Sequence, residues 1–520
     1  MTLRPNALDY DELFPTNRHA RDKDSSDENS FSSKSPSKKA FSYDQTAIRD
    51  ANTKAPPDDV ASSPGNERSS TDPVFPKRNS WIHRRGHTLS FIGLFIFSVV
   101  LYLRPYEFFP GLSSLTSMAF YTGLVTLLIY ASTQLSTEGN LTARPKEINL
   151  VLLLGAAALL SMPMAVDIGD AWKTFSEQLL KTIVIFVVLV NVVRTESRLK
   201  LLLLLVLVVS IYLSVNAIND YRLGIFEIGT SETARIRGRI KGLFENSNDL
   251  ALHLVTMIPI AVALGISKRD PFRKLIYLGA AALMVAGVIV TFSRGGFIGL
   301  VAAGLLMVRR LGRKNRVATT TAMVFAVIMF LSLAPGAYSG RLSSIFDSAA
   351  DLTGSSSQRN EVLKRSIWVT LRYPLLGVGI GNFQHKSPRN LETHNAYTQV
   401  GSEMGIAAMV VYILFLVHPL RRLRLIENES YSKFEQARFY YLSIGLQGSL
   451  VGFMASSFFG AVAYQWYVYY LVAYAVCLHR LYIMKFRSEN EFAGKYWEHP
   501  FAKKTAKLVN GQPASQLGNV

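Results

Sequence analysis

The sequence predicts an all-α polytopic membrane protein with about twelve transmembrane helices and a large loop on one membrane face. The 520 residues are 49% hydrophobic, and from about residue 88 onward the apolar residues gather into runs separated by short charged segments. Each run approaches the roughly 20 apolar residues that a helix needs to cross a hydrocarbon core about 30 Å thick. The pattern therefore favours a bundle of membrane-spanning helices over a soluble domain.

The predicted spans lie within one transmembrane domain, residues 87–482. Before it, residues 1–86 are rich in Ser, Asp, Lys, Asn and Pro and contain no long apolar run, which is typical of a disordered tail. After it, residues 483–520 are predicted to form a second tail. The twelve spans are predicted at roughly 88–103, 112–131, 148–164, 177–193, 199–217, 249–267, 273–292, 295–309, 317–334, 396–417, 437–457 and 461–479.

Basic residues predict the orientation of these spans. Arg84 and Arg85 precede the first span, and every second connection after it also carries Lys or Arg, as in the segment from Arg309 to Arg316. Under the positive-inside rule these connections face the cytoplasm, so we expect both termini to be cytoplasmic.

Two loops on the opposite face depart from this rule. Residues 218–248 and 335–395 are long and rich in arginine, and Arg294 lies in the tight turn TFSRGG on the same face. These arginines are either solvated charges of translocated loops or parts of an anion site. Because guanidinium groups bind phosphate oxygens in a bidentate manner, their convergence favours a site for a lipid-linked phosphate or diphosphate. A role in binding nucleic acid is not favoured.

Four motifs follow one another in these segments. They are RIKGLFENSNDLALHL from Arg239, SRGG from Ser293, RYPLLGVGIGNF from Arg372 and HNAYTQVGSEMG from His394. In this order they resemble the O-antigen ligase and O-antigen polymerase family of bacterial inner-membrane glycosyltransferases, over roughly residues 90–480.

The resemblance implies a GT-C-like fold and a metal-independent, inverting reaction at the periplasmic face, without a cofactor. The implied donor is a glycan linked to undecaprenyl diphosphate, and the implied acceptor is a hydroxyl of lipid A core or of a growing glycan. A flippase and a chain-length regulator are further candidate partners, beside the bilayer itself. Whether the chain is a ligase or an O-antigen or exopolysaccharide polymerase stays open at this point.

By motif, the resemblance places the family's periplasmic arginines at Arg239, Arg294 and Arg359, with Arg365 as the alternative to Arg359. Arg239, Arg359 and Arg365 are expected to bind the diphosphate. Arg294 and His394 are the expected catalytic residues, because arginine can neutralise the charge that develops on the leaving diphosphate where no DxD-type acidic motif is present. A neutral imidazole at His394 can accept a hydroxyl proton near neutral pH, or can orient the acceptor.

A polar stripe follows the histidine. Asn395, Gln399 and Glu403 are spaced i, i+4 and i+8 and so lie on one helix face. They are expected to bind acceptor or sugar hydroxyls, or else to hydrogen-bond neighbouring helices. Asp167 and Asp170 are further candidates for sugar hydroxyls.

The glycines of GVGIGNF predict a tight turn that docks the loop onto the bundle, since no strand–helix unit surrounds them as a dinucleotide site requires. Two other function classes remain as alternatives. A basic vestibule would also attract a small anion such as bicarbonate, which would make the chain a transporter, and a non-catalytic scaffold for polysaccharide assembly is the third possibility.

Overall fold

A computed structural model of the chain describes a bundle of long helices. The described residues are 87–104, 117–225, 227–228, 234–236, 244, 246–314, seven positions between 316 and 328, 355–433 and 436–486. Outside them lie the predicted tail 1–86, Arg239, most of the loop 218–248, most of the predicted span 317–334, the first part of the loop 335–395 and residues 487–520.

The element order is helical apart from one two-stranded antiparallel ladder, within the described residues. The helices are α1 (Thr88–Leu103), α2 (Met118–Glu138), α3 (Lys146–Ser161), α4 (Ile168–Thr174), α5 (Lys181–Val192), α6 (Glu196–Arg222), α7 (Ser247–Ile266), α8 (Pro271–Val290), α9 (Arg294–Leu311), α10 (Ser355–Arg372), α11 (Ala396–Met404), α12 (Ile406–Ser430), α13 (Ala437–Ser456) and α14 (Trp466–Phe486). A π-helical turn, Phe175–Leu180, joins α4 to α5, and the strands are β1 (Glu227–Ile228) and β2 (Ala234–Arg235).

The predicted class is confirmed: the chain is an all-α, multi-pass membrane protein. In the part of the chain that the structure describes, nine helices are long and apolar enough to cross a membrane. The apolar helix α1 has only 16 residues, and α9 carries arginine at both of its ends. The count of twelve spans stays a prediction.

The centre of the bundle is formed by α7, α13 and α14. Almost every residue of α14 is buried, and glycines let α13 approach its neighbours closely. Gly445 faces the backbone of Pro259 on α7, and Gly452 lies against Gly299 on α9. Small residues at such contacts are typical of helix packing in membranes, where close van der Waals contact replaces the hydrophobic effect.

Buried acids hold the arginines at the end of the bundle predicted to be cytoplasmic. Glu147 and Glu427 have fully buried side chains. Arg422 lies 3.1 Å from Glu147, Arg313 lies 3.1 Å from Glu427, and Arg194 lies 2.7 Å from Glu138. These ion pairs join helices that are distant in sequence, so the basic connections also pack the bundle.

Several predicted boundaries were wrong, and one of these errors changes the description of the site. The predicted span 396–417 is two helices, because the chain breaks at Gly405, whose φ is +90°. The stripe of Asn395, Gln399 and Glu403 therefore belongs to the short α11, and the span α12 begins only at Ile406.

Three other predicted boundaries differ from the observed helix ends by a few residues. The second span runs over Met118–Glu138, and the loop predicted at 218–248 starts after Arg222, the last residue of α6. The last span, α14, ends at Phe486, so the first four residues assigned to the C-terminal tail are helical.

Candidate functional site

Two of the sequence motifs meet at one end of the bundle, which we call the loop face because it carries residues 355–405. Ser293 is the N-cap of α9: its hydroxyl accepts a hydrogen bond from the Gly296 N–H at 3.2 Å. The same hydroxyl donates to Asn248 Oδ1 at 2.9 Å, and Asn248 lies in the first turn of α7. One serine therefore fixes the N-terminus of α9 beside that of α7.

A cleft opens at this junction. It is shallow and partly open to solvent. Behind it, the Ser456 hydroxyl donates to the Gly295 carbonyl at 3.0 Å. The lining residues are Asn248, Asp249, Leu252, Ser293, Gly295, Gly296, Ser456, Phe459 and Gly460.

Arg294 is the first residue of α9 and is half-buried. The first turn of a helix presents unpaired N–H groups and a positive partial charge, which favours anions. Since α7 and α9 both begin at this cleft, the two helix termini and Arg294 contribute positive charge at the same end of the bundle. Phe292, two residues before Arg294, has a φ of 52°, a left-handed conformation that is uncommon for a bulky side chain and marks a locally constrained turn.

His394 and Arg359 lie close together. The Arg359 guanidinium is near enough to affect the imidazole, and burial, followed by this charge, lowers the pKa of His394 to about 4. The imidazole is therefore neutral at physiological pH and can accept a hydrogen bond. His394 has a φ of 49°, so its backbone is also left-handed, which costs free energy in a residue with a Cβ.

The next residue connects this pair to the cleft. Asn395 is the N-cap of α11, because its side-chain oxygen accepts from the N–H groups of Tyr397 and Thr398 at 2.9 and 3.0 Å. Its amide Nδ2 donates to the Phe458 carbonyl at 3.4 Å. Phe458 precedes two residues that line the cleft, so a third helix N-terminus lies at the same end of the bundle.

Two acids at this site were missed by the sequence analysis. Asp249 lines the cleft and is near enough to Glu392 for the two carboxylates to repel each other. An acid in the first turn of a helix is usually read as a capping residue. The only available signal was the position of Asp249 inside the motif that starts at Arg239.

The rest of the polar stripe is engaged within the protein. Glu403 is 5% exposed, and its Oε2 accepts from the Gly381 N–H at 2.9 Å and from the Tyr464 hydroxyl at 2.7 Å. Gln399 accepts from the Ala463 N–H at 3.2 Å. These contacts favour the hydrogen-bonding alternative for the stripe, and sugar binding by its residues stays a prediction.

The glycine-rich loop docks onto the bundle, as its sequence predicted. Asn382 accepts from the Asp167 N–H at 2.7 Å and donates to the Asp167 carbonyl at 3.0 Å. His385 lies 3.0 Å from the Asp170 carboxylate, and the Ile380 N–H donates to the Ser161 hydroxyl at 3.2 Å. Asp167 and Asp170 therefore hold the loop against the ends of α3 and α4 at the loop face.

The Arg365 side chain contacts residues other than Arg359 and His394. Its Nε donates to the Lys386 carbonyl at 2.8 Å, and its guanidinium stacks on Trp368 at 4.4 Å from the ring centroid. The geometry therefore favours Arg359 over Arg365 as the loop arginine of the site.

Burial of Glu403 predicts a specific pH dependence of stability. Desolvation raises the pKa of Glu403 from 4.5 to about 7, although the hydrogen bonds from Gly381 and Tyr464 oppose the change. The folded state then binds more protons than the unfolded state between these pH values, so stability falls as pH rises through this window, by on the order of 3 kcal/mol. Compared with Glu403→Gln, the wild type should lose melting temperature in detergent between pH 4.5 and 7. A difference between the two proteins that does not change with pH would contradict this.

A comparison with protein families bears on part of this site. Residues 279–413 match the model of the O-antigen ligase family, and this range contains Arg294, Arg359, Arg365 and His394. The match confirms the family resemblance that the motifs predicted. No curated protein matches the chain.

Proposed function

We propose that this chain, of which residues 279–413 match the O-antigen ligase family, transfers a glycan from undecaprenyl diphosphate to an acceptor hydroxyl at the loop face. The family match supports an enzyme of ligase or polymerase type with glycan and lipid-linked substrates. The observation that carries the finer proposal is the placement of Arg294 and the Arg359–His394 pair at one end of the bundle, beside a cleft at the N-termini of two helices.

The donor diphosphate binds at the arginines in this proposal. The acceptor oxygen attacks the anomeric carbon, the bond from that carbon to the diphosphate oxygen breaks, and the diphosphate leaves with its lipid. Arg294 and Arg359 neutralise the charge that develops on the leaving oxygens, aided by the first turns of α7 and α9. Arg239, outside the described residues, is a further candidate for the same task.

The proton of the acceptor hydroxyl goes to His394. Because the pKa of this imidazole is lowered to about 4, it is unprotonated at the start of the reaction and available as a base. Attack from the side opposite the leaving group inverts the anomeric centre, and the reaction requires no metal.

The orientation is part of the proposal. The loop face is periplasmic, both termini are cytoplasmic, and the membrane is the bacterial inner membrane. This assignment follows the positive-inside rule, and the ion-paired arginines at the opposite end agree with it.

The decisive assay uses the purified protein in detergent with a lipid-diphosphate-linked repeat unit from its own host. A ladder of longer lipid-linked glycans would show a polymerase, since donor and acceptor are then the same class of molecule. Transfer only after lipid A core is added would show a ligase. No transfer with either acceptor would contradict the proposal and favour a transporter or a scaffold. Addition of EDTA should leave the rate unchanged.

A further inference from the structure

Helix α10 has one exposed face whose chemistry changes along the helix. Toward the N-terminus this face carries Ser357, Asn360 and Glu361, and toward the C-terminus it carries Trp368 and Leu371. Trp368 is 50% exposed and Leu371 is 68% exposed. The polar and apolar residues thus follow one another along the same side of the helix, at helical spacing.

The opposite face of α10 is packed against the protein. Val362 and Val369 are buried and form a small core with Val378 and Phe383. The exposed apolar residues of α10 are therefore not part of this small core. They form a second apolar surface, which the described residues leave largely exposed, although the Arg365 guanidinium covers part of the Trp368 ring.

The residues that follow α10, Pro374 and Leu375, contact the start of the span α12. These contacts show at which level of the membrane-spanning helices the apolar surface lies. The Ile406 N–H, at the start of the span α12, donates to the Pro374 carbonyl at 2.8 Å. Gly405 faces the Leu375 carbonyl so closely that no Cβ would fit there. Leu375 is 82% exposed, so a large apolar side chain lies level with the end of a membrane-spanning helix.

A second helix at the loop face also exposes large apolar side chains. Ile168 and Trp172 on α4 are 65% and 57% exposed, and the glycine-rich loop that follows α10 docks onto this helix through Asn382 and Asp167. Residues at this level of a span face the boundary between acyl chains and headgroups, where Trp is favoured.

We propose that the C-terminal half of α10 is inserted into the leaflet of the bilayer on the loop face, with Ile367, Trp368, Leu371 and Leu375 among the acyl chains. Lys364 and Arg372 are exposed beside this surface and contact the phosphates of the headgroups, to which their charge is complementary. A helix lying flat on a membrane has one apolar face along its whole length. The change from polar to apolar along one side of α10 instead indicates a helix that enters the membrane obliquely.

This inference goes beyond the proposed function and does not depend on it, since it requires only that the chain spans a membrane. It has a consequence for the site, because Arg359 is on the same helix. Twelve residues separate Arg359 from Leu371, which is about 18 Å along a helix. Insertion of α10 would therefore hold the Arg359–His394 pair at a fixed height above the acyl chains.

The test measures collision rates at single spin labels in the full-length protein. The native Cys477, which is fully buried, is replaced by Ala, and Cys is introduced at Ile367 or Leu371, with Asn360→Cys and Glu361→Cys as matched controls on the same face. Each labelled protein is placed in nanodiscs of phosphatidylethanolamine and phosphatidylglycerol at 3:1. Oxygen partitions into the acyl chains, whereas a water-soluble nickel chelate does not.

We expect the ratio of oxygen to nickel collisions to be several-fold higher at 367 and 371 than at 360 and 361. Equal access to nickel at all four positions would overturn the proposal, because α10 would then lie in water. Low access to both reagents at 367 and 371 would also overturn it, since a protein surface would then cover the face. All four labels are on exposed positions, and a gel-filtration profile like that of the parent confirms that each variant is folded.

Discussion

Replacing His394 with Asn is expected to lower glycan transfer by about 100-fold or more, which is the usual contribution of a positioned general base. Asparagine tolerates the left-handed backbone that His394 adopts, with a φ of 49°, so this change removes the imidazole with little added strain. His394→Ala would remove both the base and part of the backbone preference. The measurement is the initial rate of transfer at saturating donor, with membrane insertion and the melting temperature as checks on folding.

The matched control is His385→Asn. This residue is in the same loop, but its imidazole contacts Asp170, and the site described above does not include it. We expect its rate to stay within about twofold of the wild type if general-base chemistry is confined to His394. Equal losses in the two variants would mean that the loop, and not the imidazole, was damaged.

The arginine beside the histidine provides a second readout of the same prediction. Because the charge of Arg359 helps to lower the pKa of His394, Arg359→Gln should raise that pKa. Transfer requires the neutral imidazole, so the rate falls as pH drops through the pKa of His394, and this decline should move to higher pH in the residual activity of the variant. An unchanged pH profile in Arg359→Gln would contradict the effect of the Arg359 charge on the pKa of His394.

Arg294→Ala should lower transfer about 100- to 1,000-fold. The control is Arg273→Ala, because Arg273 forms an exposed ion pair with Asp270.

Replacing Gly405 with Ala is expected to destabilise the protein by more than about 3 kcal/mol, because two costs combine. Gly405 has a φ of +90°, and an added Cβ would overlap the carbonyls of Leu375 and Pro374. Backbone atoms cannot move aside as a flexible side chain can, so the loop must separate from α12. Gly377→Ala should behave similarly, since its Cβ would overlap the backbone of Glu403.

Substitutions at two other glycines distinguish the cost of the backbone conformation from the cost of the steric overlap. Gly139 has a φ of +65° but no atom within 4 Å of an added Cβ, so Gly139→Ala should cost only about 1–2 kcal/mol from the backbone conformation. Gly279 lies inside α8 with open space around it, and Gly279→Ala should be neutral or stabilising by up to about 1 kcal/mol. The measurement is the melting temperature of each variant in detergent. Equal melting temperatures for Gly405→Ala and Gly139→Ala would contradict the close approach of the loop.

Local signals in the sequence predicted much of the fold, because a membrane span is defined by composition over about 20 consecutive residues. The break at Gly405 has no such signal. A glycine followed by an apolar run is also compatible with a continuous helix, and it is the contact with Leu375 that requires the break. The apolar end of α10 was missed for a similar reason, since the apolar residues of a short amphipathic helix are indistinguishable in sequence from core residues.

For the candidate site, too, some features could be predicted from the sequence and others required the fold. The order of the motifs predicted that His394, Arg294 and a loop arginine belong together, and the choice of Arg359 over Arg365 required the fold. The partners of Glu403 could not be predicted from spacing, because Gly381 and Tyr464 lie about 20 and 60 residues away in the chain. Such long-range hydrogen bonds depend on how the helices pack and not on any local pattern.

The docking of the glycine-rich loop has a consequence for chimeras in which segments of this chain are exchanged with those of another protein. Gly379 fits against Ala165 and Gly381 against Thr174, while Asn382 pairs with the backbone of Asp167. The loop and the ends of α3 and α4 are thus one interlocking part, with complementary surfaces on segments about 200 residues apart. A chimera that transplants only residues 372–405 would bring half of this part, whereas one that also transplants residues 161–174 would bring both halves and should fold.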